Sequence, residues 1–202
     1  MADRLLVGTR KGLFAVERGT RGWEIGRASL LGEPVTMVLA DRDGKLHAGI
    51  EHGHFGVKMK RSEDGGESWQ ERATPQFPPK PEDEEDLNPV QQTPVPWDVK
   101  RIWSLEYGAP ERPGELWCGT IPGGLFRSAD GGDSWQLVDS LWNHPDRKQW
   151  FGGGADYPGI HSIMVDPRAP DTIRFGVSCG GVWASFDGGD SWDCYGEGLR
   201  AA

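Results

Sequence analysis

The sequence predicts an all-β protein assembled from repeated four-stranded antiparallel units, and three observations carry that prediction. The first is an eight-residue string that occurs three times with six positions fixed: SEDGGESW over Ser62–Trp69, SADGGDSW over Ser128–Trp135 and SFDGGDSW over Ser185–Trp192. At average residue usage such a pattern is expected on the order of once in tens of millions of positions, so three copies are an internal repeat. The second is composition. The 202 residues include 30 Gly, 15 Pro and 10 Trp, a mixture of turn formers and large flat side chains that suits many short strands. The third is the short apolar run ahead of each string: Gly56-Val57, Gly124-Leu125-Phe126 and Gly181-Val182-Trp183. Strand, tight turn and strand make a hairpin.

The turn is explained residue by residue. Paired glycines (Gly66, Gly132 and Gly189 are the second of each pair) supply positive φ without steric cost. The acids Asp64, Asp130 and Asp187 stand where a carboxylate accepts from nearby backbone N–H groups, and the hydroxyls of Ser62, Ser128 and Ser185 join the same network. Trp69, Trp135 and Trp192 then carry a large apolar ring back into the core. A decayed fourth copy precedes these, because Gly12-Leu13-Phe14 is followed by Trp23 at the spacing that separates Gly124 from Trp135 and Gly181 from Trp192.

Each turn closes a set of candidate strands. The last set is 161–165, 172–178, 181–185 and 192–195; the third is 102–107, 115–119, 124–128 and 135–138; the second is 35–40, 45–50, 55–61 and 69–72. The first has three strands, 4–8, 12–17 and 23–27, and lacks its opening one. Four-stranded units in series are the blades of a β-propeller. The expected blades are about 1–30, 31–74, 101–140 and 160–198, three complete and one partial, in a single propeller domain or a fragment of a larger ring. Two insertions interrupt the series. Residues 75–100 are rich in Pro and acid, with PEDEED at 81–86 read as a solvated acidic loop, and residues 140–159 are aromatic and glycine-rich.

The net charge of −9 argues against nucleic acid and against an anionic membrane surface as partners. No stretch approaches 18 apolar residues and the first residues carry no apolar signal core. Three cysteines, Cys118, Cys179 and Cys194, with no signal peptide read as reduced thiols in the cytoplasm, packed as small hydrophobes.

The string S-x-D-G-G-x-S-W resembles the Asp-box, or BNR repeat, of sialidases, sortilin-type receptors and the plant photosystem II stability/assembly factor. LLVGTRKGLF and the stretch from GGLFRSADGGDSW to SCGGVW are similar to bacterial proteins labelled BNR-repeat glycosyl hydrolase or exo-α-sialidase-like. The resemblance implies a propeller whose box turns lie on the outer edge of each blade, away from the central funnel. It also implies rings of about six to eight blades. On that footing the chain is expected either to be a piece of a larger ring or to complete its ring by association with another copy.

Candidate site residues cluster in loops. GIEHGHFG holds Glu51, His52 and His54. PWDVKRIW holds Trp97, Asp98, Arg101 and Trp103. NHPDRKQWFGGGADYPGIH holds His144, Arg147, Trp150, Asp156, Tyr157 and His161, and SCGG at 178–181 offers exposed backbone. His52 and His54 would share a face if they lay on a strand, and with His144 or His161 they could hold a divalent metal such as zinc. The rings of Trp97, Trp103, Trp150 and Tyr157 suit either a stacking platform for a sugar or the packing of the insertions on the blades.

A glycosidase needs paired carboxylates, for which Glu51, Asp98 and Asp156 are the candidates. A sialidase needs an arginine cluster with a Tyr–Glu pair. The sequence lacks the R-I-P motif that sialidases carry, since the nearest string is Thr120-Ile121-Pro122. Arg10, Arg101, Arg147 and Arg168 are not spaced as a triad. The inventory therefore favours a ligand-binding or assembly-scaffold module acting through His52, His54, Trp97, Arg101, Trp103, His144, Trp150, Asp156 and His161. Its partner would be a small polar ligand, a carbohydrate or a protein loop, and the alternative is a glycoside hydrolase.

Overall fold

The computed structural model describes residues 3–40 and 44–196 and divides the chain into two compact units, Met1–Thr74 and Pro75–Ala202. The first unit holds a three-stranded sheet, β1 (Arg4–Thr9), β2 (Gly12–Gly19) and β3 (Gly22–Ser29). It also holds a four-stranded sheet, β4 (Val35–Ala40), β5 (Leu46–Glu51), β6 (Val57–Ser62) and β7 (Gln70–Arg72). The second unit holds two four-stranded sheets. One is β8 (Arg101–Tyr107), β9 (Leu116–Ile121), β10 (Leu125–Ser128) and β11 (Gln136–Leu137); the other is β12 (Ile160–Val165), β13 (Ile173–Val177), β14 (Gly181–Ser185) and β15 (Asp193–Cys194). Every pairing is antiparallel between sequence neighbours. The strands agree with the sequence reading in number and order. The last strand of each four-stranded sheet starts one residue after the box tryptophan rather than on it.

The three box turns are built alike. The Ser62 hydroxyl donates to Asp64 Oδ1 at 2.7 Å and accepts from the Gly66 N–H at 2.7 Å. Asp64 then accepts from the Ser68 N–H at 2.9 Å and the Ser68 hydroxyl at 2.6 Å. Ser128, Asp130, Gly132 and Ser134 repeat the network, as do Ser185, Asp187, Gly189 and Ser191. The second serine of the string, to which the sequence reading gave no role, is thus the largest donor to the carboxylate. Gly66, Gly132 and Gly189 sit at φ 98, 87 and 100°, where a side chain would be strained.

Because the hydroxyl and N–H donors favour the ionised form, the Ser68 hydroxyl holds Asp64 well below the usual carboxylate range, and the Ser191 hydroxyl does the same for Asp187. Asp130, held chiefly by the Ser134 hydroxyl, is lowered to about 2. A depressed native pKa stabilises the fold above the unfolded value, about 3.9, and that contribution is lost as pH falls through the native value. Stability is therefore expected to decline between about pH 4 and pH 2. Asp130→Asn should flatten that decline in acid denaturation followed by circular dichroism, and an unchanged slope would contradict the network's role.

In the first unit Leu13, Val35 and Ala48 form the core, with Leu6, Val38 and Trp69 against them. In the second, Trp117, Leu125, Leu141, Trp150, Ile160, Phe175, Trp183 and Trp192 belong to one cluster. One repeat departs from the others. By its sequence, VGT followed by KGLF, β1 matches β9, with CGT followed by GGLF, which is a second strand. β9 is buried throughout and β5 nearly so, whereas β1 is mostly exposed, Leu5 and Val7 included. Among the described residues its sheet has three strands with β1 at the edge, whereas β5 and β9 each lie between two neighbours.

The insertions are ordered by packing. Asp139–Trp142 forms a single helical turn, α1, and Pro145–Gln149 a 3-10 turn with Pro at its start. Phe77 of the first insertion lies edge-on to Phe126 of β10, with centroids 5.2 Å apart, and 4.7 Å from Trp142. The acidic run is mostly open to solvent over residues 81–85, as the sequence reading expects, but its last member, Asp86, is a correction to it at 1% exposed. Asp86 Oδ2 accepts from Trp97 Nε1 at 3.0 Å and from Arg147 Nη2 at 3.1 Å, joining the two insertions. The cysteines are a second correction: Cys118 is buried, which pushes its thiol up, but Cys179 and Cys194 are exposed.

Candidate functional site

The two leading strands of the second unit share an irregularity. In β8 the register with β9 shifts between Ile102 and Ser104, and in β12 the register with β13 shifts between Ile160 and Ser162. The extra residues are Trp103 and His161. A bulge leaves its extra residue outside the ladder and re-aims the side chain, and bulges are common beside binding sites. β4 carries the same shift between Val35 and Met37, with Thr36 as the extra residue. The repeat is visible in retrospect in the strings Ile102-Trp103-Ser104 and Ile160-His161-Ser162.

The bulges bring Trp103 and His161 together, rings edge to face with centroids 6.0 Å apart. Trp103 is half-buried and His161 exposed. Ser104 Oγ donates to the Ile160 carbonyl at 2.8 Å and ties β8 to β12 beneath the pair. Glycines make room for both rings. A Cβ on Gly176 would lie 2.8 Å from His161 Cε1, and one on Gly159 would overlap Trp103 Cε3. The pair offers an aromatic face beside an imidazole that both donates and accepts hydrogen bonds.

Three of the other sequence candidates in the second unit, Trp97, Trp150 and His144, have partners of their own in the insertions and the fourth sheet. Trp97 is held by Asp86 and lies edge-on to Trp142 at 5.1 Å. Trp150 is 4% exposed and packs edge-on to Trp183 at 5.4 Å. His144 accepts from the Asp146 N–H at 3.2 Å and lies edge-on to Trp183 at 5.0 Å. For these three, packing of the insertions outweighs a binding platform. Arg147 likewise is buried in the structural ion pair. Asp156 is exposed, with its carbonyl accepting from Asn88 Nδ2 at 3.4 Å, and Tyr157 is half-buried. Asp98 is exposed and pairs with Lys100 at 2.6 Å. Arg101 opens β8, half-buried.

In the first unit Glu51 ends β5, and Gly53–Phe55 forms a 3-10 turn. His52 and His54 flank and enter that turn instead of lying on a strand. At about 120° per residue, positions i and i+2 of such a turn point apart. Among the described residues no group of three or more His, Cys, Asp or Glu comes together to hold a metal ion. The shared-face argument for His52 and His54 therefore fails on backbone conformation.

No protein-family model matches the chain. Over 85 residues, 42% of its length, it is 34% identical to the oligoxyloglucan-reducing end-specific xyloglucanase of Emericella nidulans. It is 35% identical over 85 residues to the probable enzyme of the same name from Neosartorya fischeri. The match spans only 9% of the length of each of these relatives. Among solved structures, the GH74 xyloglucanase from Xanthomonas campestris aligns with a TM-score of 0.60 at 17% identity, over 95% of this chain and 27% of that one. YCF48 from Cyanidioschyzon merolae aligns with a TM-score of 0.53 at 15% identity, over 95% of this chain and 52% of that one. These likenesses establish the fold as that of a β-propeller.

Proposed function

We propose that this β-propeller chain is a ligand-binding module of the Asp-box kind, and that its leading strands present Trp103 and His161 to a small polar ligand with a flat apolar face, a sugar ring above all. The observation that carries the reading is the repeated bulge, which turns these two side chains together out of the ladder. Fold does not select among functions, because the same fold serves a xyloglucanase and YCF48. The chemistry of the pair does. An indole face stacks on the apolar face of a sugar, and an imidazole bonds its hydroxyls.

A second reading, a glycoside hydrolase, is favoured by the 34% identity to a xyloglucanase over 85 residues. Hydrolysis needs an acid kept protonated in an apolar pocket beside an ionised partner. Asp98 and Asp156 are instead exposed to water, and Glu51 is half-buried at the end of β5.

Calorimetric titration with xyloglucan oligosaccharides, run beside a turnover assay on aryl glycosides that include a sialoside, separates the two. The expected outcome is saturable binding without turnover. Trp103→Ala should weaken that binding by about tenfold or more, roughly 1.4 kcal/mol or above for the lost stacking surface. Turnover that vanishes in Asp156→Asn or Glu51→Gln with the fold intact would replace the first reading with the second.

A further inference from the structure

Neighbouring sheets of the repeat share a core, and the second unit shows what each contributes. The third sheet offers a forward face: Trp117 of β9, Leu125 of β10 and Val138 just after β11. The fourth answers with a rear face: Ile173 and Phe175 of β13 and Trp183 of β14. All six belong to one cluster. The first unit repeats the arrangement. Leu13, in the place of Leu125, shares a core with Ala48, in the place of Phe175.

A rear face also stands open on the first sheet. Its register puts Val7 opposite Phe14 and Leu5 opposite Val16, as Phe175 lies opposite Trp183 and Ile173 opposite Ser185. Leu5, Val7 and Phe14 therefore hold the places of Ile173, Phe175 and Trp183. Ile25 of β3, opposite Val16, extends the same side, because residues in register on neighbouring strands project from one face of a sheet. Ile173 and Phe175 are buried, whereas Leu5, Val7 and Ile25 are 48, 41 and 66% exposed.

A forward face stands open on the fourth sheet. Val182 lies opposite Gly176 as Leu125 lies opposite Gly119. The Tyr195 N–H donates to the Val182 carbonyl at 2.7 Å as the Val138 N–H donates to the Leu125 carbonyl at 2.9 Å. Val182 and Tyr195 thus hold the places of Leu125 and Val138. Arg174, two residues before Gly176, holds that of Trp117, two before Gly119. Around them the Arg174 guanidinium lies 5.6 Å from the centre of the Phe186 ring, the Tyr195 ring lies 5.9 Å from that of Phe186, and Met164 is registered opposite Arg174. Met164, Phe186 and Tyr195 are 56, 54 and 51% exposed.

Contiguous apolar patches of this kind mark interaction surfaces. We infer that the open forward face of the fourth sheet docks on the open rear face of the first sheet of a second copy of this chain, head to tail. The occupant follows from the repeat. In both units the surface that shares a core with a rear face is a forward face, and the chain carries an open example of each, so a second copy supplies the mate of both. This surface is separate from the Trp103–His161 pair. Such a contact is heterologous, so it either closes on itself or runs on from copy to copy.

Sedimentation velocity at about 100 µM, roughly a hundred times a micromolar dissociation constant, reads the association. The wild type should sediment as two copies or more. Ile25→Glu and Phe186→Glu each set a charge in an apolar contact, and each should raise the dissociation constant about a hundredfold or more and leave monomers. Both side chains are exposed, and Glu63 holds the place of Phe186 in the first unit's box, so an acid there is compatible with the turn. Circular dichroism reports that each variant is folded. Mixed one to one, the two variants should associate again and stop at two copies, because each retains the face that the other has lost. A wild type that remains monomeric would show that something other than a second copy covers these faces and would overturn the inference. It would be overturned equally if either variant alone associated as the wild type does, or if the mixture stayed monomeric.

Discussion

Asp86→Ala should cost about 3–5 kcal/mol of stability, a change as large as any expected in the second unit. The carboxylate is 1% exposed and answers two buried donors at once, Trp97 Nε1 and Arg147 Nη2. Arg147 is itself enclosed. Its Nε donates to the Trp142 carbonyl at 2.7 Å and its guanidinium lies 3.8 Å from the centre of the Trp142 ring. Removing the acid leaves a buried cation with its main counter-charge gone, and the penalty is that of the uncompensated charge rather than of the bond. Urea denaturation should show the midpoint falling with little change in slope. The double change Asp86→Leu/Arg147→Met, which removes both charges and keeps apolar volume, should recover much of the loss. A single variant within about 1 kcal/mol of wild type would mean that the pair does not hold the insertions together.

Trp192→Ala is the second large effect, expected at about 3–5 kcal/mol from lost burial and the cavity left behind. The ring is 3% exposed, packs 5.1 Å from the Phe175 ring and donates through Nε1 to Ser140 Oγ at 3.1 Å. It therefore joins the box turn of the fourth sheet to the segment after the third. Its sister position in the decayed first repeat provides the control. Trp23 is 46% exposed, and Trp23→Ala should change stability by less than about 1 kcal/mol. Thermal melts of the two variants side by side check the contrast, and equal losses would contradict the burial argument.

The strands and turns were legible because their signals are local. The side-chain hydrogen bonds from the serines and the acid that close each box on itself run between residues at most four apart, as from Ser62 to Gly66 or Asp130 to Ser134. The glycine pair, the serines and the acid therefore specify the turn wherever the chain places it. The same holds for apolar runs bounded by turn formers, so all fifteen strands among the described residues fell near their expected places. The site was only half legible. Trp103 and His161 stood among the candidates, but so did Trp97, His144 and Trp150, which are identical in kind.

What distinguishes those residues is set by partners far along the chain. Asp86 leaves its acidic run for the interior because Arg147, 61 residues later, meets it there. Trp150 is core because Trp183 and Phe175 enclose it. The orientation of Trp103 and His161 follows from a slip of register between paired strands, which a single strand read alone does not contain. The exposure of β1 is decided the same way, for its sequence matches that of the buried strand β9, yet its Leu5 and Val7 stand open to solvent. The sequence by itself determined the repeating unit, its turns and the all-β class, because those rest on backbone conformation and short-range hydrogen bonds. Which aromatic rings are spent on packing and which stay open to solvent was decided by tertiary structure, because burial is a property of what surrounds a side chain.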